Sequence, residues 1–269
     1  MSKILQIIKC PACNKRIETN SVSCPVCKNL SSQKITKISN GSEGFIDFFS
    51  NYAVENSIVK DKKQETFTTQ LFANSLFPWF YEEILPAFWT IGLRGWGGIE
   101  KEAAEVLRFF GREQEIVMDL SCGTGIVSRK LAKSQFYQLI IALDYSASML
   151  EMLIDQINSE KNTSLFENLV VIRGDAESIP LISNSVDAIY AGAAMHCWQN
   201  PQKGVEEIYR VLRPKGKVFA TTFTKLLPKQ ELYCFSIEEL CFLFQEVGFK
   251  QELLKIESEG IYITIKGVK

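Results

Sequence analysis

No run of this sequence is apolar for the ~18 residues that a membrane helix needs. The short apolar stretch of Ile4, Leu5, Ile7 and Ile8 is interrupted by Gln6 and stopped by Lys9. It is too short and too polar for a signal-peptide core with a cleavage site, so a cytoplasmic chain without an integral membrane segment is expected. Neither sign of charge prevails: 30 Lys and Arg stand against 31 Asp and Glu, a net charge of -1. That balance disfavours a chain that lives on nucleic acid, which would be basic. Histidine is nearly absent, His196 being the sole one. A disulfide framework is absent too. Of 8 cysteines, Cys10, Cys13, Cys24 and Cys27 cluster, while Cys122, Cys197, Cys234 and Cys241 are scattered without pair spacing. That pattern fits a reducing compartment.

What is present suffices for a folded domain. The 269 residues are 46% hydrophobic and 23% charged, enough for one large α/β domain with a small appendage. Cys10-Pro11-Ala12-Cys13 and Cys24-Pro25-Val26-Cys27 are two knuckles separated by residues 14–23. Two such knuckles place four thiolates tetrahedrally around Zn²⁺, with no position left for water, so the expected zinc is structural. An iron site of rubredoxin type uses similar knuckles and stays open as an alternative. Residues 1–30 are therefore expected to form a zinc-ribbon-like module whose protein partner the sequence does not name.

Residues 31–98 read as a linker and a helical aromatic cap. Its one apolar patch before the cap, Phe45, Ile46, Phe48 and Phe49, is expected to dock. The stretch from Phe77 to Trp96 has two readings, a lid over a pocket or helices packed on the core. Trp96, flanked by glycines, is the aromatic expected nearest a pocket.

From Ile99 onward the chain alternates helical spacing with short apolar runs. Strands are expected at 116–120, 139–144, 169–173, 186–191 and 217–222, with two more near 250–257 and 260–266. Helices are expected between them. Continuous apolar strands separated by helices predict a Rossmann-like, seven-stranded, mostly parallel sheet covered on both faces over residues 99–269. The close succession of the last two strands predicts that one is antiparallel.

The chemistry gathers at the strand ends. Gly123 and Gly125 permit a tight turn after the first strand, and the helix behind them presents free N–H groups. Asp144 ends the second strand, where an acid accepts both ribose hydroxyls. Asp175, in Gly174-Asp175-Ala176 after the third strand, is placed to accept from an adenine amino group. Acids at successive strand ends of one sheet edge define a nucleoside pocket. A nicotinamide dehydrogenase would need a third glycine where Ser128 stands.

These residues, in "VMDLSCGTG", "ALDYSASML", "RGDAESIPL" and "IYRVLRPKGKVFATTF", resemble the successive motifs of class I S-adenosylmethionine-dependent methyltransferases over about residues 99–224. The resemblance implies that Asp119 lies by the methionine amino group, Asp144 on the ribose, and Asp175 with Ala176 by the adenine. It also places Ser121 and Cys122 in the cofactor loop, and Tyr145 and Met149 beside the adenine or ribose, with core packing as the alternative for both. Ser121 departs from the family, which usually has glycine there. The cysteine knuckles, "GWGG", "LSCGTG" and "AGAAMHCW" are similar to a subgroup from cyanobacteria and plant plastids that is grouped with quinone C-methyltransferases. Plastid relatives carry a transit peptide, and none is read here; residues 223–236 look short beside the subgroup. The resemblance implies transfer of a methyl group to a small acceptor, apolar or quinone-like. The other readings are a ribosomal RNA base methyltransferase with a zinc module and a non-catalytic cofactor-binding protein. His196, after the fourth strand, is either a general base or a structural pin, and Trp198 either lines the acceptor pocket or caps the next helix.

Overall fold

The computed structural model describes residues 4, 7–9, 46–47, 98–224 and 234–269. Among the described residues, the α-helices α1 (Gly98–Phe110), α2 (Ile126–Ser134), α3 (Ala147–Asn158), α4 (Pro201–Val211) and α5 (Ile237–Glu246) flank one sheet. Its strands are β1 (Ile46–Asp47), β2 (Ile116–Leu120), β3 (Leu139–Asp144), β4 (Leu169–Arg173), β5 (Val186–Ala191), β6 (Leu212–Phe223), β7 (Leu254–Glu259) and β8 (Tyr262–Val268). They lie in the order β1-β4-β3-β2-β5-β6-β8-β7. Order reverses between β2 and β5, which opens the crevice where ligands of such sheets bind.

The seven expected strands are present, and the sheet has an eighth. Ile46 pairs with Ile172 and Asp47 with Arg173, a two-residue parallel edge. Of the apolar patch expected to dock, only Ile46 lies within the described residues. Ile46 is buried, and this explains why so short a pairing holds. β8 is the antiparallel member, pairing with β6 on one side and β7 on the other. β6 starts five residues before the expected 217, directly at the end of α4. Leu212 pairs with Val186 and pairing resumes at Ala188 and Lys217. The extra residues bulge out through Lys215, whose φ of 68° breaks the pleat.

Strict alternation makes the two-sided core. In β2 and β3, Ile116, Met118, Leu120, Leu139, Ile141 and Leu143 pack on one face with α4 and α5. Val117, Ile140 and Ala142 pack on the other with Val106 and Phe110 of α1, Leu131 of α2 and Leu150 and Leu153 of α3. Each fully buried Leu or Ile contributes about 1.5–3 kcal/mol, which is why continuous apolar runs here specify strands despite weak periodicity.

Ahead of the first cysteine, apolar residues that the structure describes also belong to this core. Ile4, Ile7 and Ile8 are buried on the α4–α5 face. Ile182 N–H donates to the Ile7 carbonyl at 2.7 Å, and Lys9 N–H donates to the Pro180 carbonyl at 3.1 Å. The same loop is gripped from α4: Arg210 donates to the carbonyls of Leu181 at 2.7 Å and Ile179 at 2.9 Å. The four knuckle cysteines and the aromatic stretch Phe77–Trp96 lie outside the described residues.

Candidate active site

The turn between β2 and α2 is built on left-handed backbone. Ser121, Gly123 and Gly125 have φ of 58°, 56° and 71°. Gly125 N–H closes the turn on the Cys122 carbonyl at 2.9 Å. A Cβ at Gly125 would lie 2.3 Å from the Leu153 side chain, so glycine is required there twice over, by conformation and by space. The N-cap of α2 is Gly125, which brings no capping side chain. In its first turn the Ser128 N–H bonds to the Asp119 carboxyl, and the helix N-terminus faces the turn. Ser121, where the family usually has glycine, carries a left-handed penalty of about 1–2 kcal/mol. Its hydroxyl offsets part of that cost by accepting the Trp198 indole N–H at 3.0 Å.

Asp144 clasps the turn. Its Oδ2 accepts the Gly123 N–H and its Oδ1 the Ser146 N–H, both at 2.8 Å. Burial raises its pKa, and these N–H donors oppose the rise. A carboxylate offers about four acceptor positions, and the N–H groups of Gly123, Ser146 and Tyr145 all bond to it. A vicinal diol would bind by sharing the oxygens with these amides. Asp175, half-buried beyond β4, accepts the Glu177 N–H at 2.9 Å within its own turn. Ala176 beside it is buried. Tyr145 is exposed next to Asp144, whereas Met149 is in the interior.

Asp119 is buried beneath the turn at 1% exposure. It accepts the Ser128 hydroxyl at 2.6 Å. Burial pushes its pKa up to about 7, with the Ser128 bonds pulling the other way. The Cys122 thiol, half-buried, is held well above its ordinary range, first by burial and then by Asp144 and Asp119. Cys122, Cys197, Cys234 and Cys241 are all free thiols.

The loop after β5 forms the opposite wall. His196 is buried, with its Nδ1 3.5 Å from the Thr222 hydroxyl and its ring edge-on to Phe223 at 4.9 Å. Burial lowers its pKa to about 4, so the imidazole is neutral at any ordinary pH. Trp198 is buried as well. Its ring lies on Gly204 of α4, where a Cβ would come within 2.3 Å. Trp198 therefore straps the glycine turn to α4 and does not act as a helix cap. Gly204→Ala would gain about 1 kcal/mol at an open helix position. Here it is expected to lose about 1–3 kcal/mol by overpacking, read as a lower urea midpoint with an unchanged m-value.

One residue at this edge has no counterpart in the sequence reading. Glu102 of α1 is buried and accepts hydroxyls from Tyr190 of β5, Thr221 of β6 and Tyr262 of β8. Its signal was its spacing, since Glu102 precedes the buried Val106 and Phe110 at helical intervals on one stripe.

Strand order, glycine turn and flanking helices define a Rossmann-like α/β domain. Within it, residues 118–220 match the family model described as a methyltransferase domain. An uncharacterised chloroplastic methyltransferase of Arabidopsis thaliana is 35% identical over 236 residues, 81% of this chain and 62% of the relative. The chloroplastic 2-methyl-6-phytyl-1,4-hydroquinone methyltransferase of Spinacia oleracea is 27% identical over 208 residues, 72% of this chain and 53% of the relative. The chain thus spans about half to three-fifths of the length of these curated relatives. A crystal structure of a SAM-dependent methyltransferase from Aquifex aeolicus superposes with a TM-score of 0.51 at 21% identity, covering 62% of this chain and 89% of that one. At that identity the likeness is one of fold. Among the described residues no helix is long and apolar enough to cross a membrane.

Proposed function

We propose that the chain is a class I S-adenosylmethionine-dependent methyltransferase acting on a small, apolar or quinone-like acceptor. The observation that carries the reading is the clasp between Asp144 and Gly123 at the switch point, within the segment that matches the methyltransferase domain. The acceptor class is supported by the name of the Spinacia relative, a hydroquinone methyltransferase. The near-balanced charge argues against RNA as the acceptor.

S-adenosylmethionine supplies an electrophilic methyl group on a positively charged sulfur. The chain's own residues bind and orient. Asp144 receives the ribose hydroxyls, the Gly123–Gly125 turn admits close backbone approach, and Asp175 with Ala176 borders the base. Asp119, neutral or anionic near pH 7, sits under the turn where a cationic amine would draw its proton off. Transfer then depends chiefly on holding the acceptor in line with the methyl and excluding water.

The test joins two measurements. Calorimetry should show S-adenosylhomocysteine binding. Incubation with radiolabelled S-adenosylmethionine and separate lipid, RNA and protein fractions should label the lipid fraction. Label in RNA would favour a base methyltransferase. Binding without label in any fraction would favour a non-catalytic cofactor-binding protein.

For the amino-terminal part we propose a structural zinc on Cys10, Cys13, Cys24 and Cys27, supported by the spacing of the two knuckles. Elemental analysis is expected to find one zinc per chain. Cys10→Ser with Cys13→Ser should release it yet leave S-adenosylhomocysteine affinity near native, because the residues described before Cys10 are held on the sheet domain by their own burial and backbone bonds, independently of the metal. Collapse of the whole fold on metal loss would make the module an integral layer of the sheet domain.

A further inference from the structure

Glu102 is a carboxylate at 5% exposure where α1 meets β5, β6 and β8. Its Oε1 accepts the hydroxyls of Tyr190 at 2.7 Å and Thr221 at 3.1 Å, and its Oε2 that of Tyr262 at 2.5 Å. Thr221 Oγ1 in turn accepts the N–H of Ala193 at 2.8 Å. The chain at that point is strained: Ala193 has φ 47°, a left-handed conformation that a side chain disfavours. At the neighbouring Gly192, a Cβ would lie 1.8 Å from the Tyr190 hydroxyl, so the loop is pressed directly onto the cluster.

Stability gives little reason to keep such a group. Burying an ionised carboxylate costs several kcal/mol before its donors repay it, and apolar replacements of whole buried polar clusters are often neutral or stabilising. What the cluster does is hold a loop. Ala193 opens the segment that carries His196 and ends at Trp198, whose indole is bonded to Ser121 in the glycine turn. Strained backbone persists where its surroundings over-determine it, and such places gather at functional sites.

We propose that Glu102 is a positioning residue of the transfer site: through Thr221 it fixes the backbone of Ala193, and with it the wall of the acceptor side. Tyr190 and Tyr262 hold Glu102 itself from two further strands. The inference rests on the methyltransferase reading above.

Thr221→Val removes the oxygen that links Glu102 to Ala193 and keeps a residue suited to a strand. Thr221→Ser keeps the oxygen. The valine variant is expected to bind S-adenosylhomocysteine as the native protein does. Protection of the Ala193 amide against hydrogen exchange should fall. The kcat for methyl transfer to a short-chain alkylated hydroquinone should drop by about 10- to 100-fold, the scale of a small misplacement, with KM for S-adenosylmethionine unchanged. The serine variant should restore both exchange protection and kcat. Should the valine variant not fold, Tyr262→Phe removes one donor to Glu102 and is expected to move the same two readouts in the same direction. The inference is overturned if folded Thr221→Val keeps native protection at Ala193, or native kcat. A native protein that does not bind S-adenosylhomocysteine would instead refute the methyltransferase reading, and Ala193 exchange would then decide the loop claim alone.

Discussion

Asp144→Ala is expected to weaken S-adenosylhomocysteine binding by roughly 30- to 1,000-fold, with the fold retained. Two hydroxyl bonds to an ionised carboxylate are worth about 2–4 kcal/mol together, and each ~1.4 kcal/mol is tenfold in affinity. The structure adds a reason for the upper end of that range. Asp144 also holds the turn, through Gly123 N–H, and the start of α3, through Ser146 N–H. Its loss therefore frees the glycine turn to leave the binding geometry, so the ligand must pay for reordering it. Thermal stability should change little, because both amides lie at the sheet edge and the strands are held by their own ladders and cores. Asp144→Asn is the informative companion, since it keeps one acceptor oxygen and should fall between native and alanine. Calorimetry that finds native affinity in Asp144→Ala would remove the ribose from this strand end and with it the orientation of the cofactor.

The sheet was legible because its strands are buried on both faces and read as unbroken apolar runs, and the helices because they are amphipathic and capped. Ser236, for example, forms a capping box with Glu239. The cofactor side was legible because glycine and aspartate at strand ends are chemically conspicuous. What escaped was whatever depends on a partner distant in sequence. Ile46-Asp47 is too short to carry a period, and only β4 makes it a strand. Ile4, Ile7 and Ile8 read only as an apolar stretch too short for a leader, yet the α4–α5 face of the sheet buries them. Glu102 stands among Glu100, Lys101 and Glu105, so it reads as part of a solvated helix face. Its burial follows from three hydroxyls on three strands, none of them near it in the chain. Trp198 was read as pocket wall or cap, because nothing local reveals that its indole N–H meets Ser121.

His196 shows how far environment overrides residue type. As the sole histidine, after the fourth strand, it has two readings, a general base and a structural pin. Buried with its pKa near 4, it is a weak base and is already neutral wherever methyl transfer would be assayed. Its ring fills space against Phe223 and faces the Thr222 hydroxyl. His196→Ala is therefore expected to cost about 2–4 kcal/mol of stability, as for other large buried side chains. Turnover of the folded fraction should stay near native. The pH dependence supplies an independent check. In the unfolded chain His196 titrates near 6.5 and in the native one near 4. Between those values the unfolded state binds the extra proton, so stability present above pH 6.5 is lost as pH falls towards 4, by about 3 kcal/mol in all. Asp119 acts in the opposite sense. Its pKa rises on folding from 3.8 to about 7, so the native state holds the extra proton, and stability is lost as pH rises through that window. The two slopes oppose each other in the native protein. His196→Ala removes one of them, so the stability difference between native and variant should shrink steadily as pH is lowered from 6.5 to 4. Urea titrations at several pH values measure that difference directly. A constant difference would mean that the imidazole keeps its ordinary pKa, and a fall in turnover of about 10²–10⁴ in the folded variant would restore it as the base.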